Sequence, residues 1–428
     1  MQKNTPEYYG YTIGKNIVPY INQCIRETKQ CYISEGTHIF GRNDKNWNDG
    51  NVWQDSTITW GWHGINDDVK LYGAGIDKTI LKLIDNVHTK ALYDIPSDVI
   101  FMLQTNYYQS CNNAIISGIT WDGNYSKNSG SSTISAIRIR GSNINISENK
   151  FINFGVGNAQ KCECFQVSAG PINQNEQGPI FKNNIFSSVG LKQNSPRGFV
   201  PENTLLTAGG TNPIISGNKF IDCIFDKKLQ QSPLHGIAVA TTTGSVIENN
   251  EFKNFSGVCI YMDSWSNENL IIKNNLAINV WQFIQLTCQP WKDLNQISFH
   301  KNYTIMENNV ILSNGEAFRE WDIDGGQSAF FGYVYSETLD PKKYQAFENI
   351  LIKNNKITVG NFKNKKGILL ESPILTCFSG REVNESKIRL ENNVIIKTDI
   401  APVQIKEKTS FFQKIINFFA RLFGRKKS

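Results

Sequence analysis

One short phrase recurs along the chain: an apolar residue, a spacer, a position that is usually Asn, then Asn, a spacer and another apolar residue. It reads ISENKF (146–151), FKNNIF (181–186), ISGNKF (215–220), IENNEF (247–252), IKNNLA (272–277), MENNVI (306–311), IKNNKI (352–357) and LENNVI (390–395). The last Asn of the central pair falls at Asn149, Asn184, Asn218, Asn250, Asn275, Asn309, Asn355 and Asn393, with spacings of 35, 34, 32, 25, 34, 46 and 38 residues. Self-similarity at such a period marks a solenoid, and the uneven spacing implies a constant coil with insertions in one loop of each turn. The chain holds 49 Asn and 52 Ile. Asn is a poor residue inside ordinary helices and strands, so the fold must give it a place of its own.

The strands around the phrase alternate with a period of two, as in AIRIRGSNINIS (136–147) and GIAVATTTGSVIE (236–248), which predicts β-structure. In a parallel coil-on-coil stack the Asn sits at a tight turn, where it tolerates the left-handed backbone region. Its amide can bond the same residue one coil up, forming a ladder. Ile and Val then fill the inner column. The expected fold is an all-β solenoid: a single-stranded right-handed parallel β-helix with an N-terminal helix and strand cap. The expected divisions are 1–100 (cap and first coils), 101–405 (repeats) and 406–428, a basic amphipathic C-terminal helix.

Charge is concentrated at one end. The chain carries a formal +6, and residues 406–428, with seven basic residues and one acid, carry the same +6, so the remainder is neutral. A neutral body argues against a nucleic-acid partner, which calls for a basic stripe on the fold itself. The N-terminal residues show no basic region followed by an apolar run, and no stretch approaches the ~18 consecutive apolar residues of a membrane-spanning helix. The nine cysteines follow no zinc or disulfide spacing, which predicts free, mostly buried thiols and a cytoplasmic location. Cys162-x-Cys164 would be half a metal site without a second half.

N-terminal to the repeats, Ile17, Ile21 and Ile25 recur every four residues with Pro19 in the first turn, predicting a helix over 17–28. It leads into CYISEGTHIF (31–40), VKLYGAGIDKTILKL (69–83) and NAIISGITWDGN (113–124). This succession resembles the opening of the pectate-lyase-like β-helix superfamily, over about residues 13–400. The resemblance implies the fold but leaves chemistry open, because that superfamily holds lyases, hydrolases, epimerases, tailspikes and non-catalytic binders. The paired Asp, Gly-His-Gly and Arg-x-Lys set of its polygalacturonase-like branch is absent, as is the Asp-Pro-His-Asp of its mannuronan epimerases. Leu234-His235-Gly236 matches only part of the first set.

Alternation places an outward column on the strand preceding each phrase: Arg138 and Arg140, Gln166 and Ser168, Ala238 and Ala240, Tyr261 and Asp263, Gln285 and Thr287, Tyr333 and Tyr335. The coil around Leu205-Leu206-Thr207 is ambiguous. Small residues between arginines at one end and aromatics at the other suit a sugar-binding trough, with arginines clamping carboxylates. Arg138, Arg140, Gln166, Tyr261, Gln285, Tyr333 and Tyr335 are thus the expected substrate-binding set. Asp263, directly after an apolar strand, is the first candidate acid or base, assisted by His235 one coil earlier. The plain structural alternatives are an Asp satisfying turn amides and a packing histidine. The segment 314–327, with Glu320, Asp322 and Asp324, is the competing catalytic set, suited to glycoside hydrolysis by paired carboxylates. Asp322-x-Asp324 is also a weak calcium candidate, without the further ligands of a recognised loop. No other cofactor or metal is expected.

After residue 409 the pattern changes. Phe411, Phe412, Ile415, Ile416, Phe418, Phe419, Leu422 and Phe423 share one side of a 3.6-residue helix, while Lys414 and Arg421 lie opposite, followed by Arg425, Lys426 and Lys427. This is the pattern of a helix lying on an anionic membrane surface, at the inner face of the cytoplasmic membrane. A cap over the open end of the solenoid, or self-association through the Phe face, would use the same apolar side. The expected function is a carbohydrate-active enzyme of the lyase, glycosidase or epimerase type, acting on a polysaccharide or lipid-linked glycan. The alternatives are a non-catalytic, membrane-tethered glycan-binding or assembly scaffold and a phage-like trimeric fibre.

Overall fold

The structure is a computed structural model; it describes residues 2–41, 58–60, 67–86, 99–105, 110–128, 133–154, 164–187, 203–223, 234–262, 267–288, 300–312, 329–335, 347–363, 369–371, 374–377 and 387–398. The Asn pair divides two tasks that the sequence assigns to one residue. Its first member turns the chain: Asn183, Asn249, Asn274, Asn354 and Asn392 all have φ between 53° and 56°, and Gly217, Glu148 and Glu307 occupy the same place in other coils. Its second member points inward and builds the ladder. Each such Asn sends its backbone N–H and one amide hydrogen to the Oδ1 of the next, as from Asn250 to Asn275 (2.9 and 3.0 Å) and from Asn275 to Asn308 (2.9 and 3.0 Å). The second amide hydrogen goes to a core-row carbonyl of the preceding coil, Ile215 for Asn250 and Ile247 for Asn275.

The ladder runs through Asn149, Asn184, Asn218, Asn250, Asn275, Asn308, Asn355 and Asn393. The expected rung at Asn309 is therefore corrected to Asn308. Ile305, not Met306, fills the inner row, opposite Ile272 and Ile352, which moves the phrase back by one residue. At the N-terminal end the ladder starts on non-Asn donors, the N–H of Ile119 (3.3 Å) and the indole N–H of Trp121 (3.5 Å) to Asn149 Oδ1.

Each coil contributes one strand to each of three parallel sheets. Sheet 1 holds segments such as Asn145–Ser147, Ile180–Lys182 and Ile214–Ser216, paired in register. Two residues later, across the Asn corner, sheet 2 holds Lys150–Ile152, Ile185–Ser187 and Lys219–Ile221. Sheet 3 holds the longer strands Val99–Thr105, Thr133–Arg140, Cys164–Gly170, Asn203–Thr211, Leu234–Thr243, the second halves of Glu251–Met262 and Leu276–Cys288, and Ala329–Tyr335. Antiparallel pairing among the described strands is confined to Asn361–Lys363 with Leu369–Glu371. A parallel strand cannot return through a hairpin, so the chain winds in one sense, and the fold is the expected right-handed parallel β-helix.

The core is a set of aligned columns. Ile116, Ile146, Phe181, Ile215, Ile247, Ile272, Ile305 and Ile352 form one, all fully buried. In sheet 2, Phe151, Phe186, Phe220 and Phe252 stack with centroids 4.9, 4.9 and 4.7 Å apart, the last two pairs within 6° of parallel. The strand spacing of ~4.8 Å sets this distance, and it coincides with a good offset stack. At the N-terminal end the helix Val18–Thr28 lays Val18, Ile21, Cys24 and Ile25 onto the same core, as the four-residue recurrence of Ile predicts. The described cysteines Cys24, Cys31, Cys111, Cys223 and Cys259 are free and buried. Burial pushes the Cys111 thiol up to about 12, so it is a packing group rather than a nucleophile.

Candidate functional site

The lengths of the connections point to one face. Between sheets 1 and 2 every coil from Asn145 to Val394 spends two residues, locked by the ladder. Insertions fall beside sheet 3 instead. They fall before its strands (42–57, 87–98, 129–132, 155–163, 188–202, 224–233 and 313–328) or after them (61–66, 106–109, 263–266, 289–299, 336–346 and 378–386), the former mostly in the N-terminal half and the latter mostly in the C-terminal half. At the coils of Glu251–Met262 and Leu276–Cys288 the link from sheet 2 becomes one continuous bent strand with no insertion.

Sheet 3 is bent, and the bend decides which residues face out. Leu205 with Leu206, Cys259 with Ile260, Phe283 with Ile284 and Phe330 with Phe331 are consecutive residues that all belong to the main core. Strict alternation forbids this, so parity inverts across each pair. C-terminal to the bend, Arg138, Ser168, Thr207, Ala238, Tyr261, Gln285 and Gly332 share one row on the outer face. Two residues further, Arg140 pairs with Gly170, and Gly209 and Ala240 lie close by in the next coils, a second row nearly bare of side chains beside one arginine. The approach is close: a Cβ on Gly170 would lie 3.3 Å from the Gly209 backbone. Thr207 thereby takes the place left ambiguous in the sequence.

Several expected site residues keep their positions. Arg138, Arg140 and Gln285 lie half-buried on the outer face. The Arg138 guanidinium sits 5.8 Å from the Phe101 ring centre, a cation–π contact with the preceding coil. Others are corrected. Gln166 is 2% exposed and stands in the row of Ala136 and Leu205, both core residues, so it is not part of the trough. Tyr333 pairs with Leu286, a core row, while Gly332 pairs with Gln285. The expected placement of Tyr333 and Tyr335 beside Gln285 and Thr287 is thus one residue out of register, because Phe330 and Phe331 both turn inward.

His235 and Tyr261 meet, but not as a catalytic pair. Their rings stack at 3.8 Å between centroids and 10° between planes. Tyr261 belongs to a small outer cluster with Ala238, Val258 and Trp281; its hydroxyl accepts from Thr287 Oγ1 at 3.1 Å. His235 is 1% exposed, its Nδ1 lies 3.4 Å from Thr204 Oγ1, and its Nε2 has no hydrogen-bond partner among the described residues. Burial lowers its pKa to about 3. A neutral, covered imidazole is a poor proton acceptor at neutral pH, so the expected assisting base is corrected to a packing group. Its neighbour Gly236 is fixed by packing as well: a Cβ there would lie 2.7 Å from the Phe252 ring.

Asp263, Glu320, Asp322 and Asp324 lie outside the described residues, as do Phe411, Phe412, Lys414, Ile415, Ile416, Phe418, Phe419, Arg421, Leu422, Phe423, Arg425, Lys426 and Lys427. Asp263 directly follows Met262, whose register partners are Val239 and Leu286. No cluster of three metal-ligating side chains occurs among the described residues. Asp122, the expected turn former, is nearly buried and accepts from the Asn124 N–H and the Asn153 amide, both at 2.9 Å.

No protein-family model and no curated protein matches the chain. Among solved structures, the Dettilon tailspike protein is similar, with a TM-score of 0.52 at 11% identity over 87% of this chain and 68% of its own. A hyperthermoactive exopolygalacturonase from Thermotoga maritima aligns at a TM-score of 0.48 and 12% identity, over 92% of this chain and 91% of its own. PfbA, a surface adhesin of Streptococcus pneumoniae, aligns at 0.47 and 12%, over 94% and 96%. At these identities the similarity is one of fold.

Proposed function

We propose that the outer face of sheet 3 binds a polysaccharide or related glycan, and that the connections at its edges supply the chemistry that acts on it. The observation that carries this reading is the confinement of length variation to those edges while the opposite corner stays fixed. Loops positioned by a rigid scaffold are where binding and catalytic residues concentrate. The rows of this face repeat every ~4.8 Å along the solenoid, which suits a ligand that itself repeats. Arg138 and Arg140, half-buried on neighbouring pleats of this face, carry planar guanidinium forks suited to a carboxylate and so favour an anionic sugar.

Asp263 stays the leading acid or base, now without His235 to assist it, and Glu320, Asp322 and Asp324 remain the competing set. A second reading, a non-catalytic glycan-binding scaffold, draws support from the absence of any carboxylate in the described part of the two outer rows.

The test is a panel of neutral and uronate-containing polysaccharides, measured for binding and for new reducing ends or unsaturated products. Arg138→Ala/Arg140→Ala should weaken binding of the acidic polymers by roughly ten-fold or more, with neutral ones unaffected. Asp263→Asn should keep binding and lose turnover. Binding without turnover by the unaltered chain selects the scaffold, and no binding to any polysaccharide sinks the proposal.

A further inference from the structure

The C-terminal end of the described solenoid is an uncovered core. Leu390 lies in the row of Ile352 and Ile305, and Ile395 in the row of Ile357 and Val310. Those earlier residues are fully buried, whereas Leu390 is 48% and Ile395 45% exposed, beside Val394 at 58%. The ladder also stops here. Asn393 accepts from the Asn355 N–H and amide, yet no described residue accepts from its own N–H, as the next rung does in every earlier coil. The opposite end shows how this protein closes a coil stack: an amphipathic helix lays four apolar side chains on the first coils.

We propose that residues 411–423 of the same chain cover this end, with Phe411, Ile415, Phe418, Phe419, Leu422 and Phe423 on the exposed rows of Ile388–Glu391 and Val394–Thr398. The segment follows directly in the chain. The 12 intervening residues, 399–410, reach up to ~40–43 Å when extended, more than the width of a coil. Eight large apolar side chains on one helical side match an apolar end, and Lys414 and Arg421 on the opposite side remain in water. A membrane would compete for the same side, so an apolar face docked on the solenoid is not available to lipid.

Hydrogen exchange on the full chain tests this. Amides of 388–398 should be protected in the unaltered chain and lose about ten-fold or more of that protection in Ile415→Glu/Phe419→Glu, while strands of mid-solenoid coils such as Val246–Glu248 keep theirs. The polar-side variant Lys414→Ser/Arg421→Ser should leave 388–398 unchanged. Equal protection in the unaltered and apolar-side chains overturns the proposal, as does equal loss from the polar-side change. Sedimentation with vesicles of equimolar phosphatidylcholine and phosphatidylglycerol completes the test. An unaltered chain that pellets while 388–398 keep their protection also overturns it, because the apolar side is then in lipid and something else covers the coil.

Discussion

A ladder Asn satisfies more partners than any other side chain of its size could. Asn275 accepts at Oδ1 from the Asn250 N–H and amide, and its own amide donates to the Ile247 carbonyl and to Asn308 Oδ1. Asn275→Ala strands several buried groups at once. It should cost at least ~2 kcal/mol in urea unfolding, at ~1–3 kcal/mol per stranded group. Asn274, one residue earlier, only holds a left-handed φ of 55°. Asn274→Gly should therefore lie within ~0.5 kcal/mol of the unaltered chain, and Asn274→Val should lose ~1–2 kcal/mol. Equal effects at the two positions would refute the division of labour. His235 makes a second residue-level prediction. Unfolded, it takes a proton near the usual 6.5; folded, only near about 3. The unfolded chain thus binds more protons between those values, so stability is complete above pH 6.5 and falls as the pH drops. For one histidine the loss reaches ~1.4 kcal/mol per pH unit. His300, buried and lowered to about 4, adds a loss of the same sign. His235→Phe keeps a ring for Tyr261 and should roughly halve their joint contribution to the slope between pH 6 and 4; an undiminished slope would show that His235 titrates normally.

At the scale of the element, the phenylalanine stack of sheet 2 is a single packed column. Phe220 contacts Phe186 and Phe252 face to face and Phe255 edge on. Phe220→Ala should cost ~3–5 kcal/mol through the cavity it opens, measured by chemical denaturation, while Phe220→Leu should cost clearly less. The column was readable in the phrases ISENKF, FKNNIF, ISGNKF and IENNEF, each ending in the stacked residue. Sheet 3 was less readable, because alternation assumes a straight strand. Two consecutive apolar residues at a bend look like a slip of register, and nothing local distinguishes Leu205-Leu206 turning inward together from one of them facing out. For that reason the row of Arg138, Ser168, Ala238, Tyr261 and Gln285 was legible, whereas Gln166 and Tyr333 were misplaced.

For the whole molecule, a locked corner opposite a variable face makes an asymmetry that insertions can measure. Two glycines placed between Asn274 and Asn275 break the Asn250–Asn275–Asn308 bonds and should destabilise by at least ~3 kcal/mol. The same pair placed within 289–299 should cost ~0.6 kcal/mol or less, because lengthening a loop adds little closure entropy. Comparable losses at both sites would remove the argument for sheet 3 as the functional face. The solenoid, its period, the Asn column and the N-terminal helix were determined by the sequence alone, because each follows from a residue type repeated at a fixed local spacing. The exact rung at Asn308, the burial of His235 against Tyr261, the inversion of parity in sheet 3 and the uncovered end at Leu390 and Ile395 were decided only by tertiary structure. They depend on which residue of a neighbouring coil lies opposite, and with coils 25 to 47 residues apart, no local pattern specifies that.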